Sequence, residues 1–156
     1  MSAIDELKDL LSEDIRQLGK LADILGQEKA SLSCSDVQQL DNLTRQKNAL
    51  LDQIRDRAGR KIRVLVAMGF NPKAGNPSRF IRSTGMQDLT ALWEEAERQL
   101  KECQQQNANN GRVLSHLQKR LSRLTEIFRG ASGQQQLYGA QGQQTRVSNS
   151  NVLASA

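Results

Sequence analysis

MQDLTALWEEAERQLKECQQQNANNGRVLSHLQKRLSRLTEIF, Met86 to Phe128, is the stretch that decides the fold. Met86, Leu89, Trp93, Ala96, Leu100, Cys103, Asn107, Asn110, Leu114, Leu117, Leu121, Leu124 and Phe128 follow one another at alternating steps of three and four, and only the two asparagines are polar. A seam of period 3.5 held this long, with no proline inside it, predicts a helix of roughly 43 residues lying along other helices. At 1.5 Å of rise per residue the rod is about 65 Å long. Such a shape offers length and surface, and no natural cleft for chemistry.

Upstream of the seam, GFNPKAGNPSRFIRST is read as a connector over 69–84. Pro72 and Pro77 each lack an amide donor and restrict the residue before them. Phe70, Phe80 and Ile81 are the apolar residues it can tuck against the end of a bundle. Thr84 and Gln87 have the spacing of a capping box for the helix that follows, 85–129. A second helix reads from 36 to 68 through Leu40, Leu43, Leu50, Ile54, Ala58, Ile62 and Leu65. Gly59 inside it costs about 1 kcal/mol against alanine and marks a place to bend. The first helix reads from 3 to 31, with Leu7, Leu11, Leu18, Leu21 and Leu25 on a stripe widened by Leu10, Ile15, Ala22 and Ile24. So wide a stripe needs two neighbours. Between these helices Ser35 and Gln38 suggest a second capping box, and the short turn makes the pair antiparallel.

The expected fold is therefore all-α: an elongated antiparallel bundle, or coiled coil, of three long helices over residues 1–129. Downstream, Gly130 is a ready helix stop. Residues 130–156, rich in Gln, Gly, Ser and Asn, read as a flexible polar tail that cannot build a core of its own.

Composition narrows the function. Aromatic residues are 3% of the chain, so the core must be built from aliphatic side chains. MSAIDELKDLLSEDI interleaves carboxylates with its apolar residues, unlike a signal peptide, and no segment approaches the 18 or so apolar residues of a membrane span. A cytoplasmic protein without stable membrane insertion is expected. Cys34 and Cys103 stand far apart with no metal-ligand spacing, which reads as two reduced thiols. The net charge of +5 invites a nucleic-acid reading, but its distribution argues against one. Residues 1–34 hold 4 basic and 7 acidic side chains, and the densest basic run, Arg55, Arg57, Arg60, Lys61 and Arg63, is interleaved with Asp52 and Asp56. This reads as a solvated face paired with the acidic first helix, not a phosphate-binding stripe.

Asn107 and Asn110 are the sharpest anomaly, with Gly111 directly after them. A buried amide penalises pairings in which its hydrogen bonds go unmade, so register control is one reading, and a polar opening onto a partner site is another. On the register reading, replacing both by leucine raises thermal stability and permits other oligomers. His116, the only histidine, lacks the companions a metal or catalytic site requires, and Trp93 reads as a core residue. No nucleotide-binding or hydrolase motif is present, so neither a cofactor nor an enzymatic activity is expected. Leu137 and Tyr138 form an apolar pair in a polar tail with no core to join, as a short linear anchor for a partner would.

Three stretches carry a family resemblance: LDNLTRQKNALLDQI, QQNANNGRVLSHLQKRL and LYGAQGQQTRVS. Asn-x-x-Asn-Gly within an amphipathic helix, followed at a distance by Leu-Tyr-Gly-x-x-Gly, resembles the FlgN family of flagellar type III export chaperones, which escort hook-filament junction proteins. The proline-containing connector has no place on that pattern. The resemblance implies a chaperone that binds such cargo in the cytosol, blocks its premature assembly and delivers it to the export apparatus, and whose C-terminal part engages the helical termini of the cargo. Leu137, Tyr138, Asn107, Asn110, Gly111, Leu114, Leu117 and Leu121 are the candidate partner-binding residues. The competing class is a structural coiled-coil adaptor or scaffold, with a basic nucleic-acid binder behind it. A homo-oligomer is compatible with the same stripe, because a monomeric bundle and an intermolecular pairing would bury it equally.

Overall fold

The computed structural model describes residues 2–136, the side chains of Phe128 and residues 131–136 excepted. It holds four helices: α1 (Ala3–Ser33), α2 (Val37–Ala67), α3 (Pro77–Ser83) and α4 (Gln87–Gln136). Among the described residues there is no strand.

Local chemistry sets the helix ends. Ser2 caps α1 and exchanges hydrogen bonds with Asp5, closing a capping box at the third helical position. At the other end Ser35 takes the left-handed conformation (φ 54°), and two backbone bonds, Ser35 N–H to the Leu32 carbonyl (3.4 Å) and Asp36 N–H to the Ser31 carbonyl (3.1 Å), close a Schellman motif. Ser35 therefore ends α1 instead of capping α2, as its spacing to Gln38 had suggested. The cap is Asp36, whose carboxylate accepts from Gln39 N–H at 3.1 Å. α2 runs unbroken through Gly59 and ends in a second Schellman motif, with Gly69 at φ 106° and Phe70 N–H bonded to the Leu65 carbonyl at 2.9 Å.

Two expectations about the later chain are corrected. The connector contains a helix, because Pro77 stands at the start of α3, where its missing N–H costs nothing, and Asn76 caps it through Ser78 N–H at 2.8 Å. Thr84 belongs to the end of α3 and builds no capping box with Gln87; its hydroxyl donates to the Ile81 carbonyl at 2.6 Å. Nor does the last helix stop at Arg129. α4 passes through Gly130 to Gln136 as a 50-residue element. A glycine ends a helix only where the chain turns left-handed, as at Gly69, and Gly130 stays helical.

α1 lies between α2 and α4 and packs along the length of each, whereas α2 and α4 meet only sparingly. That is what its wide apolar stripe requires. α1 and α2 are antiparallel as expected: Lys61 meets Asp14 and Lys47 meets Glu28, each pair stepping 14 residues in opposite directions. α1 and α4 run parallel. The Cys103 thiol donates to the Leu18 carbonyl (3.5 Å) and the Asn110 amide to the Leu25 carbonyl (2.9 Å), both across a separation of 85 residues.

Three aliphatic clusters fill the interface. The first, around Leu7, Leu11, Leu65, Ile81 and Leu89, is closed below by Phe70, whose ring centroid lies 5.4 Å from that of Phe80. The second gathers Leu18, Leu21, Leu25 and Cys103, and the third only Leu32, Leu40 and Leu114 with Leu117 beside them. Each fully buried leucine contributes about 1.5–3 kcal/mol relative to an exposed one. Carried to the end of α1, the 85-residue offset brings Ser33 level with Gln118. α4 then continues for about 18 residues, roughly 27 Å, beyond the helix that covers it.

Candidate partner-binding site

The apolar stripes of α1 and α2 carry charges at inward positions. On α1 the sequence Leu7, Leu11, Asp14, Leu18, Leu21, Leu25, Glu28, Leu32 is buried throughout, with Asp14 at 2% and Glu28 at 3% exposure. A carboxylate taken out of water is tolerated only when both oxygens are held. Asp14 receives Arg57 Nη1 at 2.9 Å and, on its other oxygen, Lys61 Nζ. Glu28 receives Lys47 Nζ at 2.8 Å on Oε2 and Asn110 Nδ2 at 3.0 Å on Oε1. The basic run of α2 is thus divided: Arg57 turns inward and Lys61 partly so, while Arg55, Arg60 and Arg63 face solvent. Only the exposed members fit the reading of a solvated face.

Lys47, buried to the same degree as Glu28, also donates to Asn107 Oδ1 at 3.1 Å, which ties α2 to α4 across the end of α1. Around this cluster lies a cavity of about 180 Å³ lined by Glu28, Leu32, Leu40, Asp41, Thr44, Lys47, Asn107, Asn110, Gly111 and Leu114. Gly111 leaves it roomy, since a Cβ there would meet nothing within 4 Å. Four of the candidate residues, Asn107, Asn110, Gly111 and Leu114, therefore share one wall. Asn110 is buried and its amide bonds are made only at the observed offset. Asn107, by contrast, is exposed and reaches in with its oxygen alone. The Asn110 amide is one of the two donors that hold the buried Glu28 carboxylate, which argues against the expectation that leucine at both positions would stabilise the chain.

Past the cavity the seam comes into the open. Leu117 is half-buried against the third cluster, whereas Leu121 and Leu124 are 50% and 51% exposed and Ile127 is 66% exposed. Leu137 and Tyr138 lie outside the described residues. Sequence reasoning missed Glu28 and Lys47, although each interrupts an apolar stripe at an inward step, the signal that could have found them. It also missed Leu124 and Ile127 as open surface. Comparing helix lengths would have shown it, since α1 and α2 have 31 residues each against 50 in α4.

A family model described as FlgN protein matches residues 1–146. The chain belongs to the FlgN family. This is a family of flagellar export chaperones, and the match takes in the bundle, the uncovered part of α4 and the Leu137–Tyr138 pair alike. No curated protein and no solved structure matches the chain. None of the described helices is long and apolar enough to cross a membrane.

The remaining polar residues of this FlgN protein serve its framework. Trp93 Nε1 donates to Ser78 Oγ (3.0 Å), Ser78 in turn donates to Glu97 (3.2 Å), and Lys61 Nζ stands 5.7 Å from the indole centroid. Trp93 thus pins α3 to α4, in keeping with a core reading. His116 is exposed. Burial, with the nearby Glu102 carboxylate adding to it, raises the pKa of the Cys103 thiol, which keeps it protonated and unreactive. The half-buried Glu95 carboxyl has its pKa lowered to about 2, chiefly by hydrogen bonding to Arg98 and then to Gln99. It lies on the solvent side of α4 and away from the cavity.

Proposed function

We propose that this chain acts in the cytosol as a chaperone for hook-filament junction proteins, holding them apart until it passes them to the type III export apparatus. One observation carries the reading: the apolar seam of α4 continues past Gln118 with no helix among the described residues to cover it. A helical partner that would otherwise self-associate can lay its own apolar stripe against Leu117, Leu121, Leu124 and Ile127. The cavity beside Asn107, Asn110, Gly111 and Leu114 adjoins that seam and belongs to the same proposed surface. Leu137 and Tyr138 supply a further anchor, with Tyr138 able to bury a ring and keep its hydroxyl bonded.

Co-purification of tagged protein with hook-filament junction proteins tests this. Leu121→Asp with Leu124→Asp should abolish capture while leaving the circular dichroism spectrum and melting temperature of the bundle in place. Tyr138→Ala should weaken capture of cargo or export apparatus by about 1–3 kcal/mol at unchanged melting temperature. A tight homo-oligomer through the α4 seam that no cargo displaces would refute the chaperone reading and favour the scaffold.

A further inference from the structure

The uncovered part of α4 has a charge of its own. Between Leu117 and Gln136 stand Lys119, Arg120, Arg123 and Arg129 against a single acid, Glu126. The covered part of the same helix is acidic, with Asp88, Glu94, Glu95, Glu97 and Glu102 against Arg98, Lys101 and Arg112. None of the four cations is within 4 Å of a carboxylate among the described residues. Residues 127–156 contain no aspartate or glutamate. At the covered interface, by contrast, Arg57 and Lys61 are matched by Asp14.

We infer that the occupant of this face is an amphipathic helix whose apolar stripe is flanked by acidic residues, and that charge selects it among helices of equal hydrophobicity. The inference rests on the chaperone reading of the same surface and narrows it to a class of partner. Two features favour it over other occupants. A second copy of this chain would bring a like-charged segment against this one, which costs free energy. The exposed leucines also continue, at the same three-and-four spacing, the seam that already seats a helix at Leu114 against Leu32, a geometry suited to another helix rather than a flat bilayer.

The test uses the full chain and two synthetic 21-residue helical peptides with leucine at every seam position, one flanked by glutamate and the other by lysine. Binding is followed by fluorescence anisotropy, with phosphatidylglycerol vesicles as a separate arm. The glutamate peptide should bind at least about tenfold more tightly at low salt, and the difference should shrink as ionic strength rises. Arg120→Glu with Arg123→Glu should reverse the preference, and Leu121→Ser with Leu124→Ser should remove binding of both peptides. These residues are exposed, so an unchanged circular dichroism melt verifies that the variants fold. Equal affinity for the two peptides, a preference indifferent to the arginine reversal, or binding to vesicles alone would overturn the inference. Junction proteins captured without acidic preference would sink this inference and leave the chaperone reading standing. The acidic peptide bound while junction proteins are ignored would sustain the inference and sink the chaperone reading.

Discussion

Asn110 and Gly111 show how much two adjacent residues decide. The Asn110 amide is satisfied by Leu25 and Glu28 at once, so Asn110→Leu should lower stability by about 1–3 kcal/mol in chemical denaturation, the cost of leaving a buried carboxylate one donor short. A rise in stability would mean that Glu28 finds another donor or water. Gly111 should respond the opposite way. With open space where its Cβ would stand, Gly111→Ala should raise stability by about 1 kcal/mol through helix propensity alone. Any accompanying loss of cargo capture would place the function of that glycine in the cavity it leaves open.

At the scale of the element, α4 has two parts in different surroundings. Up to Gln118 it is half of an interface with α1, and its buried side chains belong to the core. Beyond Gln118 no described side chain of α4 is buried, so ending the chain after Gln118 should shift the melting temperature by no more than about 2 °C. The same truncation should abolish cargo capture. A large drop in melting temperature would show that residues beyond 118 fold back onto the bundle.

The described residues form a rod because the three long helices pack side by side and the longest is not matched by its neighbours. α4 alone spans about 75 Å. Small-angle scattering should therefore give a radius of gyration above about 20 Å, where a compact globule of this length would give about 15 Å. A value near the globular figure would contradict the uncovered extension of α4. The buried ion clusters and leucine layers lie where α1 is present, and the most exposed leucines of the α4 seam, Leu121 and Leu124, lie beyond its end.

How much of this was legible beforehand follows from the range of the interactions involved. The seam from Met86 onward, the wide stripe of α1 and the reversal between α1 and α2 were readable because helix periodicity and turn chemistry are local, recorded within a few residues of where they act. Asn107, Asn110, Gly111, Leu114, Leu117 and Leu121 could likewise be picked out along one helix. Tertiary structure alone decided that Asn110 is buried against Glu28 while Asn107 reaches Lys47 from the surface, and that the basic run of α2 sends Arg57 and Lys61 inward. It alone set the 85-residue offset that leaves Leu121, Leu124 and Ile127 uncovered. Burial and pairing depend on which residues other helices bring to the same place, and a periodic pattern on one helix is the same whether or not a neighbour is long enough to cover it.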